Sequence, residues 1–180
     1  MAGRMESLLY SVSLRVRNEL RTTGNRLVLA ESCTAGLVSA ELGQIPGISE
    51  HFCGSMVVYR TASKHSWLDI ETELLEDSTI GPVSAEVTGR LAMAILRKTP
   101  EATISAGITG HLGPNAPGEM DGRVYCAVLK REATNGKPVI VRHKLRSASP
   151  IDMEDVVGRK VRQQEAAKLL LEFIESQLVG

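Results

Sequence analysis

Side chains that can attack a carbonyl or move a proton gather at three places in this sequence. The first is Glu31-Ser32-Cys33-Thr34-Ala35-Gly36, directly after the apolar run Arg26–Ala30. A serine between a buried strand and a helix can act as a nucleophile, and backbone N–H groups near Cys33 and Thr34 can hold the negative charge that develops. A serine before a helix is also a favoured N-cap, which needs no catalytic role. The second place is Tyr59-Arg60-Thr61-Ala62-Ser63-Lys64. A serine hydroxyl is a poor nucleophile until something takes its proton. A lysine of lowered pKa, or a tyrosine relaying to it, does this without histidine. Read separately, Tyr59 is a core residue with a wet hydroxyl and Lys64 a solvated helix charge. The third place is the loop Thr109–Gly118, where Gly110 and Gly113 let backbone amides approach an anion and Thr109 adds a hydroxyl. A plain connecting loop fits that composition equally well. Arg159 and Arg162, three apart near the chain's end, share a helix face and can reach a phosphate; with Lys160 they also read as a solvated basic stripe.

Other chemistries lack their residues. The glycine-rich loop follows neither the G-x-x-x-x-G-K-[ST] nor the G-x-G-x-x-G order. No G-x-S-x-G elbow occurs. His51, His65, His111 and His143 show no metal-ligand spacing, so no metal site is expected. Cys33, Cys53 and Cys126 form no C-x-x-C pair and no disulfide framework, which suits a reducing compartment.

The elements that must position these groups alternate between helix and buried strand. Leu8, Leu9, Val12, Val16 and Leu20 mark an amphipathic first helix, closed by Thr23-Gly24-Asn25. Strand 26–30 then runs through the Ser32 segment into a helix from Ala35 to Leu42. Ser55–Tyr59 predicts a strand, Ala62–Leu68 a short helix, and Ser84–Arg97 a long helix with Val87, Leu91, Ala94 and Ile95 inward. Ala102–Ile108 is a further strand. Val124–Leu129 and Val139–Lys144 form a hairpin about Asn135-Gly136. Asp152–Leu178 is a last helix, with Val156, Val161, Ala166, Leu169, Leu170 and Phe173 inward. The expected fold is α/β, with helices on both faces of a sheet that the hairpin makes mixed. One domain over residues 1–180 is expected.

The totals agree with an ordinary small globular protein. Hydrophobic residues make up 43% and charged residues 23% of the 180, which excludes disordered and collagen-like classes. Twenty-one basic and 21 acidic residues cancel, and aromatics supply 3%, so neither a nucleic-acid partner nor an anionic membrane is indicated. No apolar run reaches the length of a membrane span. The first twenty residues carry charges throughout a helical period and lack a signal peptide's apolar core, so a cytoplasmic location is expected.

Taken in order, Ala30-Glu31-Ser32-Cys33-Thr34-Ala35-Gly36, Ile45-Pro46-Gly47-Ile48-Ser49, Tyr59 with Lys64, Pro82-Val83-Ser84, and Gly107-Ile108-Thr109-Gly110 with Gly113-Pro114 resemble the CinA carboxy-terminal domain family. The resemblance runs from the first helix to Arg159-x-x-Arg162. It implies a three-layer α/β/α sandwich about a mixed five-stranded sheet. It also implies a nicotinamide-nucleotide amidohydrolase that converts nicotinamide mononucleotide and water to nicotinate mononucleotide and ammonia without metal or cofactor. The family's catalytic serine falls on Ser32, its tyrosine and lysine on Tyr59 and Lys64, and its loop threonine on Thr109. Cys33, Thr34, Gly36, Gly110, Gly113, Arg159 and Arg162 would then bind substrate.

The chain departs from the family pattern in four places. E-S-C-T-G-G has become Glu31-Ser32-Cys33-Thr34-Ala35-Gly36, and T-G-I-A-G-P has become Thr109-Gly110-His111-Leu112-Gly113-Pro114. S-N-E-A-K after the tyrosine reads Arg60-Thr61-Ala62-Ser63-Lys64. The acidic run ending in K-P-V-G is replaced by Asn115–Val124. Two other readings accompany the amidohydrolase: a nucleotide-binding module silenced by His111 and Leu112, and an amidase on a different small amide. A homo-oligomer, with a dimer favoured, is expected on general grounds.

Overall fold

The computed structural model describes residues 2–133, 135–147 and 151–179. A first helix, α1 (Ala2–Thr23), leads into β1 (Leu27–Glu31), α2 (Leu37–Gly43) and β2 (Phe52–Val57). Three helices follow, α3 (Thr61–Leu68), α4 (Thr72–Glu76) and α5 (Ala85–Lys98), and then β3 (Ile104–Gly110), β4 (Arg123–Lys130), β5 (Val139–Lys144) and α6 (Val156–Val179). The strands form one five-stranded sheet in the order β2-β1-β3-β4-β5. β1 runs parallel to β2 and β3, while β3–β4 and β4–β5 are antiparallel. The sheet is therefore mixed, as the hairpin predicts.

Strand alternation divides the interior into two cores. Leu27 and Leu29, with Ile104, Ala106 and Ile108, face one side and pack with Leu9, Val16, Leu20, Val38, Leu42, Leu170 and Ile174 of α1, α2 and α6. Val28 and Ala30 face the other side, toward Leu68, Leu75, Val87, Leu91 and Ile95 of α3, α4 and α5. β3 presents Ser105, Gly107 and Thr109 to α5, and small or hydroxyl side chains there let the helix lie close. Ser105 Oγ donates to Ala92 O at 2.7 Å, and a Cβ on Gly107 would stand 2.9 Å from Thr88 O.

Several elements differ from their expected limits. β2 spans Phe52–Val57 rather than Ser55–Tyr59, and β3 spans Ile104–Gly110 rather than Ala102–Ile108. α2 starts at Leu37 rather than Ala35, because Ala35 (φ 52°) and Gly36 (φ 92°) are both left-handed and cannot continue a right-handed helix. α6 starts at Val156 rather than Asp152, and Val156 is exposed, not inward. α4 has no counterpart in the sequence reading; its five residues are too short to display a helical period. Among the described residues, no helix is long and apolar enough to cross a membrane.

Candidate active site

The carboxyl ends of β1, β2 and β3 open on one side of the sheet. The chain leaves β1 toward α2 on one face and leaves β2 toward α3 on the other, so a crevice forms between adjacent strand ends, where open α/β sheets hold their ligands. A cleft of about 170 Å³ lies there, with Ser32, Cys33, Tyr59, Lys64, Gly110 and Arg159 in its walls. Pro82 and Val83, ahead of α5, complete it, while Ser84 caps that helix by accepting from Val87 N–H at 3.2 Å. A larger cavity of about 620 Å³, between α3 and α4, shares Tyr59 and Thr61 with the cleft.

Ser32 is 5% exposed and sits one residue beyond β1. Its N–H donates to Ile108 O at 3.2 Å and its carbonyl accepts from Ala35 N–H at 3.0 Å, so residues 32–35 form a tight turn pinned to β3. Such a turn leaves its two central N–H groups, those of Cys33 and Thr34, outside its own hydrogen bonding. Neither is taken by a backbone carbonyl among the described residues, and Cys33 N–H lies against its own thiol. A second tie comes from α6, where Gln163 Nε2 donates to Thr34 O at 2.9 Å.

Lys64 reaches Ser32 from α3. It is the fourth residue of α3 and 2% exposed. Its Nζ donates to Ser32 Oγ at 3.1 Å, to Val58 O at 3.1 Å and to Tyr59 O at 3.5 Å. Burial pulls its ammonium down from 10.5 to about 8, against an opposing pull from Cys33. A neutral amine here keeps two hydrogens for the carbonyls of Val58 and Tyr59 and turns its lone pair to the serine hydroxyl. Cys33 is no rival nucleophile, since burial pushes its thiol up to about 12 and holds it protonated.

The other residues singled out from the sequence divide into three groups. Cys33, Tyr59, Gly110 and Arg159 line the cleft with Ser32 and Lys64. Gly110 is glycine because a Cβ would stand 3.0 Å from both Cys33 Sγ and Val124 Cγ2. Tyr59 is half exposed, and its hydroxyl accepts from Arg159 Nη2 at 2.8 Å. Arg159 Nη1 also donates to Gly113 O, so one guanidinium joins α6, the glycine-rich loop and Tyr59.

A second group lies beside the cleft and shapes it. Thr34 turns a fully buried hydroxyl to Glu31 Oε2 at 2.8 Å, and Gly36 gives its N–H to the same oxygen. Gly113 (φ +61°) lies against Arg162, whose Nη1 would be 2.7 Å from an added Cβ. These positions fix the backbone, and the Thr34 side chain turns away from the cleft to Glu31.

Two expectations are corrected. Thr109 does not offer its hydroxyl to the cleft: fully buried, it bonds Thr88 Oγ1 at 2.7 Å, because strand alternation turns it toward α5. Thr88 Oγ1 in turn donates to Ser84 O at 2.6 Å, which leaves Thr109 as the donor to Thr88. Arg162 does not share Arg159's surroundings. It is fully buried, pairs Asp121 through Nη1–Oδ1 at 2.7 Å and Nη2–Oδ2 at 2.9 Å, and donates to Ser147 O at 3.2 Å. A three-residue step leaves the two side chains about 60° apart around the helix and almost one turn apart along it, so Arg159 reaches the cleft rim while Arg162 is drawn inside to Asp121.

Glu31 was not distinguished by the sequence reading. It is fully buried, and its carboxylate accepts from Thr34 Oγ1, from the N–H groups of Gly36, Val38 and Ser39, and from the hydroxyls of Ser39 and Ser55. The start of α2 is thus already occupied by a carboxylate from within the chain. The available signal was an acidic residue ending an otherwise apolar buried strand.

A family model described as the CinA C-terminal domain matches residues 9–151. A CinA-like protein of Acidobacterium capsulatum is 35% identical over 147 residues, which are 79% of this chain and 35% of that protein. One from Myxococcus xanthus is 36% identical over 115 residues, 63% of this chain and 27% of its own length. The chain thus spans about a quarter to a third of these relatives. Among solved structures, a competence/damage inducible protein from Agrobacterium tumefaciens is 26% identical with a TM-score of 0.79, over 96% of each chain. A CinA superfamily protein from Klebsiella pneumoniae reaches a TM-score of 0.81 at 21% identity, over 95% of this chain and 98% of that one, and shares the fold.

Proposed function

The chain belongs to the CinA C-terminal domain family, and from that premise we propose that it is an amidohydrolase in which Ser32 attacks the carboxamide of nicotinamide mononucleotide with Lys64 as its base. The observation that carries this reading is the buried pair itself, Lys64 Nζ at 3.1 Å from Ser32 Oγ. An isolated surface lysine would be charged at neutral pH. One that burial has drawn down to about 8 is neutral often enough to take a proton.

In the first half-reaction, the neutral Lys64 amine accepts the Ser32 proton as Oγ bonds to the amide carbon. The carbonyl oxygen becomes an oxyanion, for which the N–H groups of Cys33 and Thr34 are the available donors. The Lys64 ammonium returns its proton to the amide nitrogen, the C–N bond breaks, and ammonia leaves an acyl ester on Ser32. A water then gives a proton to Lys64 and its oxygen to the acyl carbon. Collapse of that second tetrahedral species re-forms the serine hydroxyl and releases the carboxylate. The 170 Å³ cleft suits a ring with its carboxamide, while a bulkier remainder extends past Tyr59 and Thr61 into the adjoining cavity. Arg159, between Tyr59 and the glycine-rich loop, supplies positive charge at the rim.

A silent binding module is the weaker reading. Its motive was obstruction by His111 and Leu112, yet Leu112 is 2% exposed and belongs to the core against α1 and α6, and neither side chain lines the cleft. The decisive experiment follows ammonia release from nicotinamide mononucleotide by the wild type and by Ser32→Ala. Release by the wild type alone is expected. Equal release by both would remove Ser32 as nucleophile. Release from another small amide, with none from the nucleotide, would keep the mechanism and replace the substrate.

A further inference from the structure

Glu31 takes no part in the chemistry above, yet it is a fully buried acidic side chain next to the nucleophile. Six contacts reach its carboxylate, and all six come from donors. Thr34 Oγ1 at 2.8 Å and Gly36 N–H at 3.1 Å belong to the turn that holds Ser32. Val38 N–H at 3.1 Å, Ser39 N–H at 2.9 Å and Ser39 Oγ belong to α2, and Ser55 Oγ at 3.4 Å belongs to β2. No lysine or arginine forms an ion pair with it among the described residues. Buried acceptor oxygens are tolerated inside a protein when N–H and hydroxyl donors replace their water, as they do here.

We propose that Glu31 is a positioning residue for the Ser32 nucleophile: its carboxylate ties the 32–36 turn to α2 and β2, so that Ser32 Oγ and the N–H groups of Cys33 and Thr34 are held in one fixed arrangement. The same carboxylate occupies the donors at the start of α2, which are therefore closed to a ligand. Negative charge forming beside Ser32 is left with the turn's own two N–H groups. The arrangement calls for a carboxylate rather than its amide. Glutamine would keep the shape but replace one acceptor with an NH₂ group, which would face a backbone N–H in either orientation, that of Ser39 on one side or those of Gly36 and Val38 on the other. Ala35 and Gly36, both left-handed, bend the chain back far enough for Gly36 N–H and Val38 N–H to reach one carboxylate oxygen.

This inference rests on Ser32 being a nucleophile, as proposed above, and it is tested by a probe that does not depend on the physiological substrate. A fluorophosphonate forms a bond from Ser32 Oγ to phosphorus as fluoride leaves, and its transition state also carries negative charge on oxygen. The rate of labelling at Ser32 is followed by intact-protein mass spectrometry across pH for the wild type, Glu31→Gln and Thr34→Val. Glu31→Gln is expected to label about a hundredfold more slowly, the loss typical of a disturbed oxyanion donor. The midpoint of its pH dependence should stay near 8, the value set by Lys64.

Thr34→Val removes one of the six contacts with little change of shape, which keeps the test open should the glutamine variant fail to fold. It is expected to label about threefold to tenfold more slowly. Wild-type rates in a folded Glu31→Gln or Thr34→Val would overturn the proposal, and so would a displaced pH midpoint, since Glu31 would then act through Lys64. A wild type that does not label at Ser32 would overturn it too. Labelling that follows the expected order without ammonia release from any amide would uphold Glu31 and overturn the hydrolytic reading.

Discussion

Lys64 Nζ and Ser32 Oγ meet 3.1 Å apart, one carried by α3 on one face of the sheet and the other by the turn that leads from β1 to α2 on the other face. Because burial holds Lys64 near 8, its neutral fraction falls tenfold for each pH unit below that value. Ammonia release under kcat/KM conditions is therefore expected to rise with slope one on a logarithmic scale and to level off above about pH 8. Lys64→Met should lower kcat by roughly a thousandfold, in the range of a lost general base. Lys64→Arg should not restore it, since arginine stays protonated. A flat pH profile between 6 and 9 would remove Lys64 from the proton path.

The same burial has a cost in stability. Folded Lys64 releases its proton near 8, whereas the ordinary value of 10.5 applies once the chain unfolds. Between those values the unfolded state binds the extra proton, so wild-type stability rises with pH across that interval. Below it the full penalty applies, on the order of 3 kcal/mol. Lys64→Met, of similar length and apolar, is expected to be more stable than the wild type at pH 7 and to lose that advantage toward pH 10.5. Urea unfolding at both pH values measures the difference. A methionine variant less stable at pH 7 would mean that the three hydrogen bonds of Nζ outweigh its desolvation.

The layers of this fold were legible because their signals are periodic. α1, α5 and the hairpin strands fall where apolar spacing puts them, and Leu9, Val12, Val16 and Leu20 are all buried. Ser32 and Lys64 were legible as candidates, and the resemblance of their motifs joined them, since residues 32 apart in sequence carry no local sign of contact. What escaped was orientation. Thr109 stands in the loop motif that carried the resemblance but falls on the strand face toward α5, and Arg162 lies about one helical turn from Arg159 but inside the protein. Glu31 escaped because half of its contacts come from backbone N–H groups, which every sequence possesses, and one of its hydroxyl partners, Ser55, stands 24 residues away.

Arg159 Nη2 donates to the Tyr59 hydroxyl at 2.8 Å, while Lys64 reaches Ser32 without an intermediary. Tyr59 is thus expected to orient Arg159 and the cleft wall rather than relay a proton. Tyr59→Phe should raise KM severalfold through a loosened Arg159 and lower kcat by less than tenfold. A fall in kcat of a hundredfold or more, with KM unchanged, would return the hydroxyl to the proton path.

Ala35 holds a left-handed conformation, φ 52°, at an exposed position. A Cβ there crowds the following carbonyl at a cost of about 1 kcal/mol, partly offset because alanine restricts the unfolded chain more than glycine does. Ala35→Gly is expected to stabilise the protein by about 0.5 kcal/mol, read as a shift of the urea midpoint at constant slope. Catalysis should be unaffected, because Ala35 does not line the cleft. Destabilisation would mean that the unfolded-state term dominates.

Asp121 grips the fully buried guanidinium of Arg162 through two hydrogen bonds, and Gly113 lies against the same group. The pair fastens the glycine-rich loop to α6, and the next arginine on that helix, Arg159, holds the loop again at Gly113 O. Asp121→Asn should therefore act twice. Removing the carboxylate from a buried arginine is expected to cost about 3 kcal/mol in urea unfolding. Loosening the loop should raise KM more than it lowers kcat, since Ser32 and Lys64 are carried by other elements. Arg162 also holds the Asp121 carboxyl below its ordinary range, so this stabilisation is complete above that range and disappears as pH falls through the lowered value. The wild type should lose stability on acidification more steeply than Asp121→Asn, and parallel acid titrations would exclude the pair as the loop's anchor.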